Sequence, residues 1–216
     1  MSHRKGRPRR MAVNDKVTYV SELVAFLYER MQSGLAAIAF ARAGDGALAK
    51  RIDSFETKML RLSVQAALEF SAIRVARALD PPEYGNASLP EVFELLNDNA
   101  VRSGVLDGYS PLPRSLRDRE MKSAVERWAR VSADPRRGRL RKLRSHTLAH
   151  NLIFETLRDG STDMLLLSDL VLYAEDVFGV VDQLAVACLG TTSQLAEVRT
   201  EAQQAADRIW QRLCGL

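Results

Sequence analysis

Residues able to do chemistry near neutral pH are scarce in this chain: three histidines and two cysteines among 216 residues. Cys188 and Cys214 provide neither a disulfide framework nor the paired spacing of a metal site. Cys188 falls on the apolar seam of a predicted helix, which reads as a buried, reduced thiol. No apolar run approaches the roughly 18 residues that a bilayer span requires, so no membrane is expected as a partner. There is no Gly-x-Ser-x-Gly elbow, and no cysteine lies near a histidine in sequence. That removes the usual arrangements for a covalent nucleophile. Gly104, Gly108 and Gly138 are scattered rather than clustered, so no phosphate-cradling glycine loop is present. Alternating strand patterns and repeats of fixed period are absent too. The basic start, Met1 to Arg10, has no hydrophobic stretch directly behind it and does not read as a secretory signal. The expectation is a soluble, cytoplasmic protein.

What remains is helical and moderately basic. Hydrophobic residues make up 46% of the chain, enough for a substantial core. The formal net charge is +4 and the sequence pI is about 9.3. Residues 1–13 read as a disordered basic arm. A helix opens at Asn14-Asp15, with Val20, Val24, Leu27, Met31, Leu35 and Ile38 at spacings of three and four, and Gly44-Asp45-Gly46 is expected to break it. Asp53 and Glu56 suggest a capping box for a second long helix, whose buried stripe is expected to be Phe55, Met59, Leu62, Ala66, Phe70 and Ile73. Asp80-Pro81-Pro82 ends it. Ser88-Leu89-Pro90-Glu91 caps a short helix carrying Val92, Phe93 and Leu96. The stretch from Gly104 to Pro113 reads as loop. Ser115 opens a helix with Met121, Val125 and Trp128 inward. Ser168-Asp169 caps a strongly periodic helix with Leu170, Tyr173, Val177, Val181, Leu184 and Cys188 on one seam. After Gly190, a last helix is expected to bury Leu195, Val198, Ala202, Ile209 and Leu213. The fold class is therefore all-α, a bundle of long antiparallel helices over 14–190 with a C-terminal helix, 191–216, packed on it.

The stretch from Asp134 to His150 holds two of the three histidines and a dense run of positive charge. Asp134-Pro135 reads as a helix start: an N-cap oxygen, then a proline whose missing N–H costs nothing in the first turn. Leu140, Leu143, Thr147 and Phe154 recur at helical spacing. At about 100° per residue, Arg144 and His150 fall on opposite flanks of that seam. His146 and His150, four apart, have the spacing of two zinc ligands on a helix. No glutamate stands between them and cations surround them, so no metal or other cofactor is expected. Arginine with histidine suits another chemistry. Metal-free RNA cleavage needs proton transfer at the ribose 2′-OH and at the leaving oxygen, together with positive charge on the phosphate. Histidine supplies the first and an arginine fork the second. The bland alternative keeps Arg144 on a solvated face and His150 hydrogen-bonded at the core edge. Charge is uneven along the chain: Arg114 to Arg144 is basic and Asp159 to Asp182 acidic, which suggests a polyanion partner for the first or self-association between the two.

The segment Arg144-Ser145-His146-Thr147-Leu148-Ala149-His150 resembles the R-x(4–6)-H motif of the HEPN superfamily of helical bundles, many of them RNA-cutting toxins or antiviral nucleases. The match is closest to the abortive-infection AbiU-like branch. The order of elements, from Ile73–Asp80 and Ser88-Leu89 to the capped helix after the motif, is also similar to that branch. Ser145 stands where that branch usually has Asn or Asp, and His146 where Lys is common. The resemblance implies a homodimer whose Arg and His come from two subunits around one cleft. That agrees with the opposed flanks, since two copies about a twofold axis can converge what one ideal helix cannot. It implies His150 as acid/base, Arg144 as phosphate clamp, Ser145 and His146 as supporting groups, and Arg137, Arg141 and Lys142 as guides for RNA. A neutralising protein such as an antitoxin would be a further partner. Two other readings stay open: a non-catalytic HEPN-like module that binds RNA or protein, and a DNA-binding regulator using the basic arm, which shows no clear helix-turn-helix signature.

Overall fold

The computed structural model describes residues 11–48, 55–83, 86–141 and 167–214. Among the described residues there are seven α-helices and no strand: α1 (Val13–Leu48), α2 (Phe55–Ala78), α3 (Leu89–Leu96), α4 (Asn99–Asp107), α5 (Arg114–Ala133), α6 (Leu167–Leu189) and α7 (Leu195–Cys214). Residues 136–141 form a further helical stretch. The fold is all-α, as the missing strand alternation predicts. The chain divides into two compact units. One gathers the described residues up to Glu29 with Arg77–Ala133 and Asp176–Ser193. The other gathers the described residues of Arg30–Ala76, Asp134–Glu175 and Gln194–Leu216.

In the first unit, Val20, Val24 and Leu27 of α1 are buried, as their spacing requires. Val177, Val181, Leu184 and Cys188 of α6 are buried as well. Ser88 is the N-cap of α3 and its hydroxyl accepts the Glu91 N–H at 3.4 Å, which satisfies one of the donors a helix start leaves without a partner. The stretch beginning at Gly104 is not loop throughout. Asp98 caps α4, accepting from the Ala100 N–H at 3.0 Å, and α4 continues through Gly104 to Asp107. Glycine is needed there because a Cβ would lie 2.7 Å from Val17 Cγ2, so close packing overrides glycine's weak helix propensity. The loop shrinks to residues 108–113. Gly190, with φ of 66°, turns the chain after α6, and a side chain there would strike Ser110. In α5 the inward residues are Arg117, Met121, Ala124 and Val131; Val125, expected inside, is exposed. Trp128 is half-buried and stacks on Phe93, with ring centroids 5.2 Å apart.

The second unit overturns two expectations. Helix α1 does not break at Gly44-Asp45-Gly46 but runs on to Leu48. The cause is Trp210 of α7, which is 2% exposed. Its indole N–H donates to the Phe40 carbonyl at 2.8 Å, and its ring meets Phe40 at 5.0 Å. A Cβ on Gly44 would sit 2.4 Å from that ring, so the glycine makes room for the tryptophan. Two interior glycines cost a helix about 2 kcal/mol in all. Burying a tryptophan is worth about 3–5 kcal/mol, so packing wins. Leu48, Trp210 and Cys214 form the buried cluster, with Leu60 and Val64 of α2 against it.

The second correction concerns the faces of α2 and α7. The stripe expected to be buried on α2 is largely open: Phe55 is 75% exposed, Leu62 55%, Met59 50% and Phe70 41%. Ala66 is exposed and Ile73 half-buried. The buried residues are instead Thr57, Ser71, Ala72, Val75, Ala76 and Ala78. Small residues allow a close helix approach: Ser71 donates to the Gly34 carbonyl of α1 at 3.2 Å as well as to Ala67 in its own helix. On α7, Ala206, Trp210 and Cys214 face inward, while Ile209 and Leu213 are exposed.

Candidate functional site

The segment that leads into the sequence motif is ordered by its own first residues. Asp134 accepts the Arg136 N–H at 2.8 Å, and its backbone carbonyl accepts from Arg137 at 3.0 Å. The Arg136 guanidinium folds back onto the same carboxylate at 3.0 and 2.7 Å, and lies over the Tyr173 ring at 5.2 Å. Those hydrogen bonds hold the Asp134 carboxyl below the usual carboxylate range. The helix start expected at Asp134-Pro135 is present, and Leu140, first member of the expected seam, is fully buried. Among the RNA-guiding candidates, Arg137 is half-buried and Arg141 exposed. Four residues apart, they share a helix face. Lys142, Arg144, Ser145, His146 and His150 lie outside the described residues.

The basic segment upstream is less free than its composition suggests. Arg114 pairs with Asp107 at 2.9 Å, Lys122 with Asp118 at 2.6 Å and Arg119 with Glu120 at 3.2 Å. Such exposed pairs contribute little stability, but they lower the positive potential open to a polyanion. Arg117 is withdrawn altogether, at 2% exposure. Its guanidinium donates to the carbonyls of Val105, Leu106 and Gly108 at the end of α4, and of Ala187 near the end of α6. It thereby satisfies acceptors that helix C-termini leave without a partner, and its charge opposes the negative ends of two helix dipoles. Its burial departs from the basic face expected over Arg114 to Arg144. The available signal was spacing: Arg117 stands four before Met121 and seven before Ala124, on the same inward stripe. In the acidic segment, Asp182 is likewise buried and accepts from the Ser193 hydroxyl.

Two buried titratable groups complete the chemistry of the first unit. Burial pushes the Cys188 thiol up to about 12, against a smaller opposite pull from Arg117. At neutral pH it stays a thiol and is no nucleophile. Glu91, in the first turn of α3, is 2% exposed, and its Oε1 has no hydrogen-bond partner among the described residues. Burial, helped by Glu94, raises its pKa above 4.5. The folded protein therefore holds this proton more tightly than the unfolded chain. The resulting stabilisation is fully present below pH 4.5 and is lost as pH rises through the raised folded value. Glu91→Gln, which cannot ionise, is expected to raise the urea midpoint at pH 7 relative to wild type and to match it at pH 4. Parallel midpoint curves for the two proteins between those pH values would contradict this assignment.

No group of three or more His, Cys, Asp or Glu positioned to hold a metal ion occurs among the described residues. No helix among them is long and apolar enough to cross a membrane. The chain matches no family model, no curated protein and no solved structure.

Proposed function

We propose that the protein is a metal-independent endoribonuclease of toxin or phage-defence type, working as a homodimer with a composite arginine–histidine site. The observation that carries this reading is the spacing Arg144-x5-His150 directly downstream of a capped, basic helix start. The all-α fold, the buried Leu140 and the exposed Arg141 on the same stretch support it. In the proposed reaction, His150 of one copy takes the proton from a ribose 2′-OH. The 2′ oxygen attacks the adjacent phosphorus, and the P–O5′ bond breaks. The leaving 5′ oxygen takes up a proton from the second copy's imidazolium, and Arg144 balances the charge that builds on the phosphoryl oxygens. Ser145 and His146 support the site by hydrogen bonding. Arg137, Arg141 and Lys142 attract the RNA backbone.

The test is purified protein with labelled RNA and with DNA of the same sequence, in excess chelator. The expected products carry 2′,3′-cyclic phosphate ends, because the attacking group is the ribose hydroxyl, and DNA survives because it lacks one. A 3′-hydroxyl end or equal cutting of DNA would show attack by water and remove the mechanism. The second reading, an RNA- or protein-binding module without catalysis, is favoured by Ser145 and His146, which depart from the motif's common residues. Tight RNA binding without cutting would select it.

A further inference from the structure

Four arginines of the first unit have partners in the fold. Arg117 serves helix ends, and Arg102, Arg114 and Arg119 each reach a polar side chain close by. Arg127 of α5 is held in place but has no such partner. Its guanidinium lies against Gly179 of α6, where a Cβ would overlap Nη1 and stand 2.7 Å from Cζ. The residue is half-buried, yet no hydrogen bond or ion pair engages it among the described residues. Its nitrogens keep contact with solvent, since none of them is a buried atom left without a partner. Two carboxylates flank the same glycine and neither takes the charge. Asp182, three residues on, accepts from the Ser193 hydroxyl, and Asp176, three residues before, interacts elsewhere. Glycine is a poor helix former in the middle of a buried apolar helix. At 179 it gives a guanidinium a seat without an acceptor.

We infer that Arg127, with Ser123 and Arg130, forms a phosphate-binding surface that contacts the backbone of an RNA chain. It rests on RNA as the ligand proposed above and adds contact residues in the first unit. Ser123, Arg127 and Arg130 stand four and three residues apart and share one flank of α5. The Ser123 hydroxyl and the Arg130 guanidinium are likewise without a partner among the described residues. Glu126, four before Arg130, reaches neither arginine. The flank therefore offers two guanidinium forks and a hydroxyl as donors, with no acceptor paired to them. A guanidinium fork matches the oxygens of a phosphate, and hydroxyls commonly add to backbone contacts. Side chains three apart on a helix are neighbours, so a chain with one charge per nucleotide can meet both arginines together. The seat adds preorganisation. A free arginine must lose rotamer freedom when it binds, whereas Arg127 has already lost much of it by packing its stem between α5 and α6.

The test is the RNA affinity of the full chain over a salt series, by filter binding, with circular dichroism of each variant. Arg127→Ala is expected to weaken binding about fivefold near physiological salt and to lower the slope of log affinity against log salt by about one. Arg127→Gln, which keeps most of the stem against Gly179 and loses the charge, should match it. Arg119→Ala removes the same charge from the same helix, but from a guanidinium paired with Glu120, and should leave affinity and slope nearly unchanged. Gly179→Ala keeps every charge and puts a methyl group in the seat. It should weaken binding in the wild-type background and add nothing to Arg127→Ala, because both changes act through one guanidinium. Equal losses for Arg127→Ala and Arg119→Ala would overturn the inference, since net charge alone would then matter. So would wild-type affinity in Arg127→Gln, or in Gly179→Ala, or a loss from Gly179→Ala that persists in full without the arginine. Binding that depends on Arg127 without any cutting would keep the surface and remove the ribonuclease. Cutting by wild type, with binding indifferent to Arg127, would do the reverse. A wild type that binds no RNA would end both.

Discussion

His150→Ala is expected to lower RNA cleavage by roughly 10²–10⁴-fold while leaving RNA affinity close to that of wild type. The asymmetry follows from what each group does. A neutral imidazole adds little to the binding of a phosphate, but proton transfer to and from ribose and leaving oxygens has no substitute near neutral pH when histidine is lost. Arg144→Ala is expected to remove activity and also to weaken binding modestly, because one phosphate contact goes with it. Arg141→Ala should weaken binding without touching the chemical step, and should lower the slope of log affinity against log salt by about one. Single-turnover cleavage and filter binding, measured on the same preparations over a salt series, separate the three. Cleavage that falls by no more than about threefold in His150→Ala, far short of the loss expected for an acid/base group, would end the proposed mechanism. Equal losses of binding and cutting would turn His150 into a structural residue.

Arg117→Ala is expected to destabilise the protein by about 3–5 kcal/mol. For a chain of this length that is a fall in Tm of roughly 6–20 °C. Four carbonyls lose their donor at once, and water cannot readily reach the three that are buried. Arg117→Lys should recover only a minor part. An ammonium offers three donors from one point, whereas the planar guanidinium reaches acceptors on two helices together. Arg119→Ala two residues on removes a guanidinium whose side chain is 71% exposed, and it should change stability by under about 0.5 kcal/mol. Urea denaturation of the three variants is the measurement. A loss below about 1 kcal/mol for Arg117→Ala would mean that the carbonyls find other donors.

The contrast between those two arginines shows how far a sequence can be read. Both stand in the segment that looks like a basic face, and nothing in their identity separates them. Spacing does: Arg117 falls in register with Met121, Ala124 and Val131, and Arg119 does not. Wherever one apolar stripe was much stronger than any other, register alone was sufficient, as in α6 and the first half of α1. It failed in α2 because two faces of that helix are apolar. The face with the larger residues, Phe55 to Phe70, attracts the reading. The face with Thr57, Ser71, Ala72 and Ala76 is buried, because small side chains let α1 and α2 approach closely enough for Ser71 to reach the Gly34 carbonyl. Hydrophobicity measures what a residue gains from burial and is silent on how near a neighbour can come.

The sequence by itself determined the all-α class, the caps at Ser88 and Asp134, the end of α2 before Pro81-Pro82, the turn at Gly190 and the arginine–histidine spacing that carries the functional proposal. These are local matters: a donor without a partner, a proline without an N–H, a φ only glycine adopts cheaply, a period of 3.6. Only the tertiary structure decided that Gly44 and Gly104 lie inside helices, that Arg117 is a buried clamp rather than a surface charge, and that the broad apolar side of α2 is left open. Each of these depends on a residue distant in sequence: Trp210 over Gly44, Val17 against Gly104, Ala187 beneath Arg117, Gly34 beside Ser71. Steric fit between segments is a property of pairs, and a pattern read along one segment does not contain it.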